Sequence, residues 1–232
     1  MKVIGACALA HLINDLIQAV LPSIYPLLKA NYGLSFTQVG LITLTFQLTA
    51  SLLQPWVGYH TDRHPKPWLL PAGMVCTLIG ILMLAFAGSF ASILVASALV
   101  GIGSSTFHPE TSRVARLASG GRYGLAQSTF QVGGNAGSAF GPLLAAAIVI
   151  PYGQGHVAWF GLFAAFAIVV LYGLSRWYRN HLALFKLKQG SQAHHGLSKG
   201  RVTGALVVLA MLVFSKYFYM TSFTSYFTFY LI

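Results

Sequence analysis

Seven long apolar runs, at about residues 4–28, 38–59, 67–88, 90–115, 123–150, 156–178 and 203–232, dominate the chain. Each is close to the ~20 residues that a helix needs to cross a bilayer. In hydrocarbon every backbone N–H and C=O must be bonded internally, which leaves only helices and closed barrels as spanning structures. Runs such as "ILMLAFAG" and "GLFAAFAIVVLYGL" lack the alternating polarity of a barrel strand. The predicted fold class is therefore an all-α membrane protein whose outer surface meets the lipid bilayer. Charged residues make up 7% and hydrophobic ones 56%, against roughly a quarter charged in a soluble domain.

Fourteen lysines and arginines face three acids, a balance that implies nucleic acid only where it forms a stripe on a soluble fold. Here the basic residues fall between apolar runs, so no nucleic acid is implied and they report orientation instead. Arg63 and Lys66 follow the second run, and Arg113, Arg116 and Arg122 flank the loop after the fourth. Arg176, Arg179, Lys186, Lys188, Lys199 and Arg201 follow the sixth, and on the other side only Lys29 appears. The excess predicts a multi-pass protein with a cytoplasmic amino terminus. Trp56, Trp68, Trp159 and Trp177 lie near run ends, where amphipathic rings prefer the headgroup region. The first run outlasts a secretion-signal core and ends without a cleavage site, so it is predicted to be a span. Cys7 and Cys76 lie in apolar segments, which gives a disulfide framework no support.

Within spans, an ionisable side chain is tolerated only against a bundle interior or a wet cavity. The first run carries His11, Asn14, Asp15 and Gln18 at helical spacing, with His11 and Asp15 four apart on one face. The fourth carries Ser104, Ser105, His108 and Glu110, with Pro109 removing one backbone donor. The seventh carries Lys216. Polar spans thus recur every third helix, the pattern expected when the first helix of each three-helix repeat lines a central cavity. On this reading Asp15 and Glu110 occupy comparable places and carry protons, while Glu110 pairing with the nearby arginines remains the alternative. Histidine titrates near neutrality, which suits His11 and His108 to proton relay or anion contact, and equally to helix packing.

Two motifs carry a resemblance. "GYHTDRHPKPW" places Gly58, Asp62, Arg63 and Lys66 in the pattern G-x-x-x-D-R-x-G-R/K, with Pro65 replacing the second glycine. "GGNAGSAFGPLLAA" offers Gly137, Gly141 and Pro142 where an antiporter signature G-x-x-x-G-P-x-x-G-G has its core, with Ala145 and Ala146 in place of the last two glycines. Glycines four apart also let helices approach closely whatever the function. Together with "HLIND", "GIGSSTFHPETSRVAR" and "FSKYFYM", the chain resembles the major facilitator superfamily, and within it a bacterial drug-efflux branch.

The resemblance implies a six-helix bundle of two inverted three-helix repeats at 1–178, a cytoplasmic basic linker at 179–202 and a seventh transmembrane helix at 203–232. It also implies proton-coupled antiport of a small anionic phosphonate antibiotic across the bacterial inner membrane, without a cofactor. Asp15 and Glu110 would couple protons; His11, Asn14, Gln18, His108 and Lys216 would contact substrate; Gly58, Asp62, Arg63, Lys66, Gly137, Gly141 and Pro142 would serve gating. The superfamily has twelve spans, so a missing carboxy-terminal half is expected, and an inactive truncated remnant is the competing reading. A retinal receptor with a span-seven lysine is disfavoured by the charge bias and by the absence of an acid in the third run. No nucleophile set for an enzyme appears. His194 and His195 lack a third metal ligand, so no metal is expected. Within the linker, Leu182, Leu184, Phe185 and Leu187 predict a short surface-lying helix.

Overall fold

The structure, a computed structural model, describes residues 1–189 and 198–230 and contains helices and no strand among them. His194 and His195 lie outside the described residues. The helices are α1 (Lys2–Ser23), α2 (Tyr25–Tyr32), α3 (Phe36–Gln47), α4 (Leu53–Arg63), α5 (Leu69–Ala85), α6 (Phe90–Leu117), α7 (Tyr123–Leu144), α8 (Ile150–Tyr152), α9 (Phe160–Gln189) and α10 (Lys199–Tyr226). A π-helical turn at Leu48–Leu52 joins α3 to α4, and another at Ala145–Val149 joins α7 to α8. Among the described residues, six segments are long and apolar enough to cross a membrane, and α5 is a shorter apolar helix of 17 residues. All seven predicted spans are therefore helical.

Three boundaries differ from expectation. The first span bends at Ile24, between Pro22 and Pro26, and resumes as α2, because a ring at each proline removes a donor from the ladder. The stretch expected as a separate surface helix continues α9 to Gln189; no glycine or proline lies between Gly173 and Gly190 to stop it. The seventh helix starts at Lys199. Capping boxes open α3, between Ser35 and Gln38, and α6, between Ser89 and Ser92. Each satisfies two amide donors that would otherwise lie unpaired at a helix start.

The chain divides into a unit at Met1–His181 and a second at Leu182–Ile232. In the first unit, helix pairs meet at small residues. Along α1 and α7 a Cβ on Gly133 would strike the carbonyl of Ala8, on Gly137 that of Leu12, and on Gly141 that of Leu16. Residue numbers rise together, so these helices run parallel. Likewise Gly101 of α6 abuts Thr49 and Phe46, and Gly58 of α4 abuts Pro109, making the second and fourth spans a parallel pair. The first helix of each three-helix set thus packs on the second helix of the other, as expected of two related repeats. Helices α5 and α6 form an antiparallel hairpin in which Gly73 lies on Gly103 and Gly80 on Ala96.

On the side of the unit away from the amino terminus, Tyr32 donates to the carbonyl of Ala87 and to Gln154 Oε1 at 2.9 Å. Gln154 Nε2 in turn donates to the carbonyl of Leu84 at 2.8 Å. These bonds tie the ends of the first, third and sixth spans. In the second unit, α10 is exposed along almost its whole length.

Replacement of Gly137 by leucine is expected to force α1 and α7 apart. Overpacking of this kind typically costs about 1–3 kcal/mol, and the check is a lower unfolding midpoint of the detergent-purified protein.

Candidate functional site

The polar residues of α1 and α6 meet. The Asp15 carboxylate lies between two imidazoles: His11 Nε2 is 3.2 Å from Oδ2, and His108 Nε2 is 3.2 Å from Oδ1. Helices α1 and α6 run antiparallel, so the lower half of one and the upper half of the other share a depth, which brings 11 and 15 opposite 108. Asn14 Nδ2 donates to Asp15 Oδ1 at 3.1 Å, and Gln18 Nε2 reaches the same oxygen at 3.5 Å. Ser104 donates to Gln18 Oε1 at 3.2 Å, which turns the Gln18 amide so that its nitrogen faces Asp15.

Each ring is oriented from behind. His11 Nδ1 lies 2.8 Å from the carbonyl of Phe130, and His108 Nδ1 lies 3.1 Å from the carbonyl of Ser104. A carbonyl only accepts, so the His11 Nδ1 carries hydrogen; His108 Nδ1 also lies 3.1 Å from Ser104 Oγ, and when its hydrogen is given to the Ser104 carbonyl both Nε2 atoms are directed at the carboxylate as acceptors of a further proton. Each Nε2···O contact then requires one proton between its two atoms. Two protons shared over one carboxylate and two imidazoles give the cluster a net charge of +1. With one proton fewer, a nitrogen lone pair would face a carboxylate oxygen, and that contact must open. His11 is buried, stacked on Phe130 at a centroid distance of 3.9 Å. The side chains of Asp15 and His108 are 18% and 25% exposed, so access comes from their side. The space is made by Gly134, where a Cβ would collide with the His11 ring and sit 2.8 Å from Asp15 Oδ2.

Glu110 does not join this cluster. It is two residues from His108, about 200° around the helix, and points to the opposite face of α6. There it is fully buried and accepts from Arg113 Nη1 at 2.7 Å. The same guanidinium donates to the Thr61 carbonyl at 3.0 Å, to Thr61 Oγ1 at 3.1 Å and to Asp62 Oδ1. The expected equivalence of Glu110 and Asp15 is thus corrected: His108 is the α6 residue facing Asp15, and Glu110 takes the arginine pairing that was its alternative.

Of the motif residues after the second span, Gly58 and Asp62 belong to this second cluster. Asp62 is exposed at the end of α4 and reaches Arg113, whose Nη2 also lies 3.4 Å from the Gly58 carbonyl. Arg63 instead covers the ring of Tyr59 at 3.8 Å, and Lys66 lies in the loop beyond α4. Gly137 and Gly141 form the seam against α1, while Pro142 lies exposed within α7, just before the second π-helical turn. Lys216 belongs to the second unit, exposed on α10 with its Nζ 5.6 Å from the centre of the Tyr217 ring.

Sequence reading gave no role to Phe130 or Ser104 and did not foresee the partner that Arg113 has besides Glu110. Phe130 acts through a main-chain carbonyl, for which no side-chain signal exists. Ser104 was visible as a polar residue one turn before His108 but carried no role. Arg113 is three residues after Glu110, a helical pairing distance, yet nothing in the sequence linked it to Asp62. Nor was a metal-ligand grouping visible, whereas one donor atom each from His11, Asp15 and His108 lie within 4.8 Å of one another.

A helical membrane bundle with a charged interior cluster and an acid–arginine lock at one end is a transporter-like architecture, and the family follows from comparison. The model of the Major Facilitator Superfamily matches residues 7–232, and the chain belongs to that superfamily. It is 58% identical over 229 residues to the Fosmidomycin resistance protein of Escherichia coli (strain K12), covering 99% of this chain and 56% of that protein. It is 46% identical over 190 residues to the uncharacterized MFS-type transporter YfnC of Bacillus subtilis (strain 168), covering 82% and 46%. The chain thus spans about half the length of the curated relatives it matches. Crystal structures of a peptide transporter, POT, with sulfate and with alafosfalin share its fold at a TM-score of 0.64 and 16% identity, covering 95% and 94% of this chain and 46% of theirs.

Removing Arg113 strands a buried carboxylate. Arg113→Ala is expected to destabilise the protein by about 3–5 kcal/mol, and the double variant Glu110→Gln, Arg113→Gln is expected to recover part of it. Thermal unfolding of both proteins in detergent is the measurement.

Proposed function

We propose that this chain forms the amino-terminal part of a proton-coupled efflux antiporter for a small anionic, fosmidomycin-like compound, in a bacterial inner membrane with its amino terminus in the cytoplasm. Residues 1–178 would form the six-helix bundle that carries the Asp15 cluster, 179–202 a cytoplasmic basic linker, and 203–232 a seventh transmembrane helix. The observation that carries the reading is Asp15 held at 3.2 Å by two imidazoles whose other nitrogens are already committed to carbonyls. The identity to a fosmidomycin resistance protein supports the cargo class.

In the two-proton state the cluster carries +1 inside a low-dielectric bundle. A unit anion about 4 Å away gains about 4 kcal/mol at an effective dielectric near 20, against about 1 kcal/mol in water. Entry of an anion therefore favours the doubly protonated cluster, and loss of a proton removes the net charge, opens one imidazole contact and weakens the hold on the anion. That linkage makes cargo affinity depend on the protonation of the cluster, which couples the two; exchange in opposite directions requires in addition that cargo and protons occupy the cavity in alternate states. Asn14 and Gln18, both bonded to Asp15, are placed to exchange those bonds for bonds to the cargo. Lys216, on α10, is a further candidate for contacting the anion. In the second cluster, Arg113 holds Glu110 and Asp62 together, and we assign it to conformational gating rather than proton carriage. The match of Gly58, Asp62, Arg63 and Lys66 to the superfamily signature supports this.

The test is expression, in a drug-sensitive bacterium, of the gene that carries this chain, with fosmidomycin as the cargo. Asp15→Asn keeps the size of the side chain and removes its charge. Resistance is expected to fall to the level of cells lacking the gene, with the protein still present in the membrane. Unchanged resistance removes Asp15 from coupling, and no resistance from the unaltered gene favours the inactive reading.

A further inference from the structure

We propose that His11, Asp15 and His108 also form a binding site for a transition-metal dication of the zinc type. The donor set is two imidazole nitrogens and one carboxylate, a combination that zinc accepts while keeping a fourth position open. Spacing supports it. Tetrahedral bonds of about 2.0–2.1 Å place neighbouring donor atoms about 3.3 Å apart; His11 Nε2 lies 3.2 Å from Oδ2 and His108 Nε2 3.2 Å from Oδ1, so each imidazole is at that spacing from one of the two carboxylate oxygens. The three donor atoms lie within 4.8 Å of one another, and the remaining spread falls to the ring of His108, the most exposed of the three.

The surroundings are those of a ligand site. Metal-binding histidines donate their second ring N–H to a carbonyl or carboxylate, which fixes the tautomer and aims the lone pair. Both rings have this arrangement, through the carbonyls of Phe130 and Ser104. A separate observation points the same way: Asn14 is fully buried with its nitrogen on Asp15, and its Oδ1 has no hydrogen-bond partner among the described residues. That oxygen is an acceptor for a water completing the coordination of the ion.

The charges also match. A dication with two neutral imidazoles and one carboxylate sums to +1, the charge of the same cluster with two protons. The ion therefore replaces two protons without adding charge to the bundle interior, which removes the electrostatic penalty that usually bars a dication from such a place.

The experiment uses the detergent-purified 232-residue chain carrying alanine at His60, His64, His194 and His195, which removes the competing close histidine pairs. Zn2+ binding is followed by calorimetry in buffers of different ionisation enthalpy, and Co2+ binding by its visible d–d absorption. One ion per chain, release of about two protons per ion, and a four- or five-coordinate Co2+ spectrum are expected. His108→Ala and Asp15→Asn should each weaken binding by at least about tenfold. The metal-free unfolding midpoint of each variant is measured alongside, which separates lost binding from lost fold. Absence of binding, or binding unchanged in both variants, overturns the proposal. Binding is read without transport, so its failure leaves the export reading standing, and metal binding without drug resistance leaves this site standing.

Discussion

Close approach of α1 and α7 is the contact on which the interior chemistry depends. Lipid does not push apolar helices together as water does, so packing between spans depends on surfaces that fit closely. Gly133, Gly137 and Gly141 let the backbone of α7 lie directly on the carbonyls of Ala8, Leu12 and Leu16. At the same register Gly134 leaves the volume that His11 and Asp15 fill, and Phe130 turns a carbonyl and a ring face toward His11. A bulkier residue in this seam would displace the imidazole as well as the helix. The seam and the charged cluster are one construction.

Helix α6 divides the remaining polar work. One face presents Ser104 and His108 to α1, and the opposite face presents Glu110 and Arg113 to α4. Both clusters follow the same rule, since a buried charge must have a partner of opposite sign and its remaining donors must be satisfied. Arg113 meets the rule with two acids and two carbonyl groups; Asp15 meets it with two rings and two amides. Motion of α6 relative to α4 would strain the first set, and relative to α1 the second. The helix is thereby placed to connect events at the exposed Asp62 with events at Asp15.

Much of this was legible in the residues. Apolar length predicted seven spans, and the one-face spacing of His11, Asn14, Asp15 and Gln18 predicted an inward polar stripe. His108 was a candidate for the same site. The role of Glu110 was not decided by placement along the chain, because two positions on a helix reverse the direction of a side chain while leaving its depth almost unchanged. The glycines of α7 read as half of a signature, and the structure shows what they touch. The bend at Ile24 was foreshadowed by two prolines, whereas the extension of α9 to Gln189 reflects the lack of any breaker before Gly190.

Composition and periodicity by themselves determined an all-helical membrane chain with the ionisable residues of its first and fourth spans turned inward, because hydrocarbon tolerates neither unpaired backbone nor unpaired charge. Only the tertiary structure decided which charges are neighbours. Pairing depends on the relative depth and rotation of helices about a hundred residues apart, set by where small residues allow contact, and so on three-dimensional fit rather than on any local pattern. That is why Asp15 is found between His11 and His108, and Glu110 with Arg113, on opposite faces of one helix.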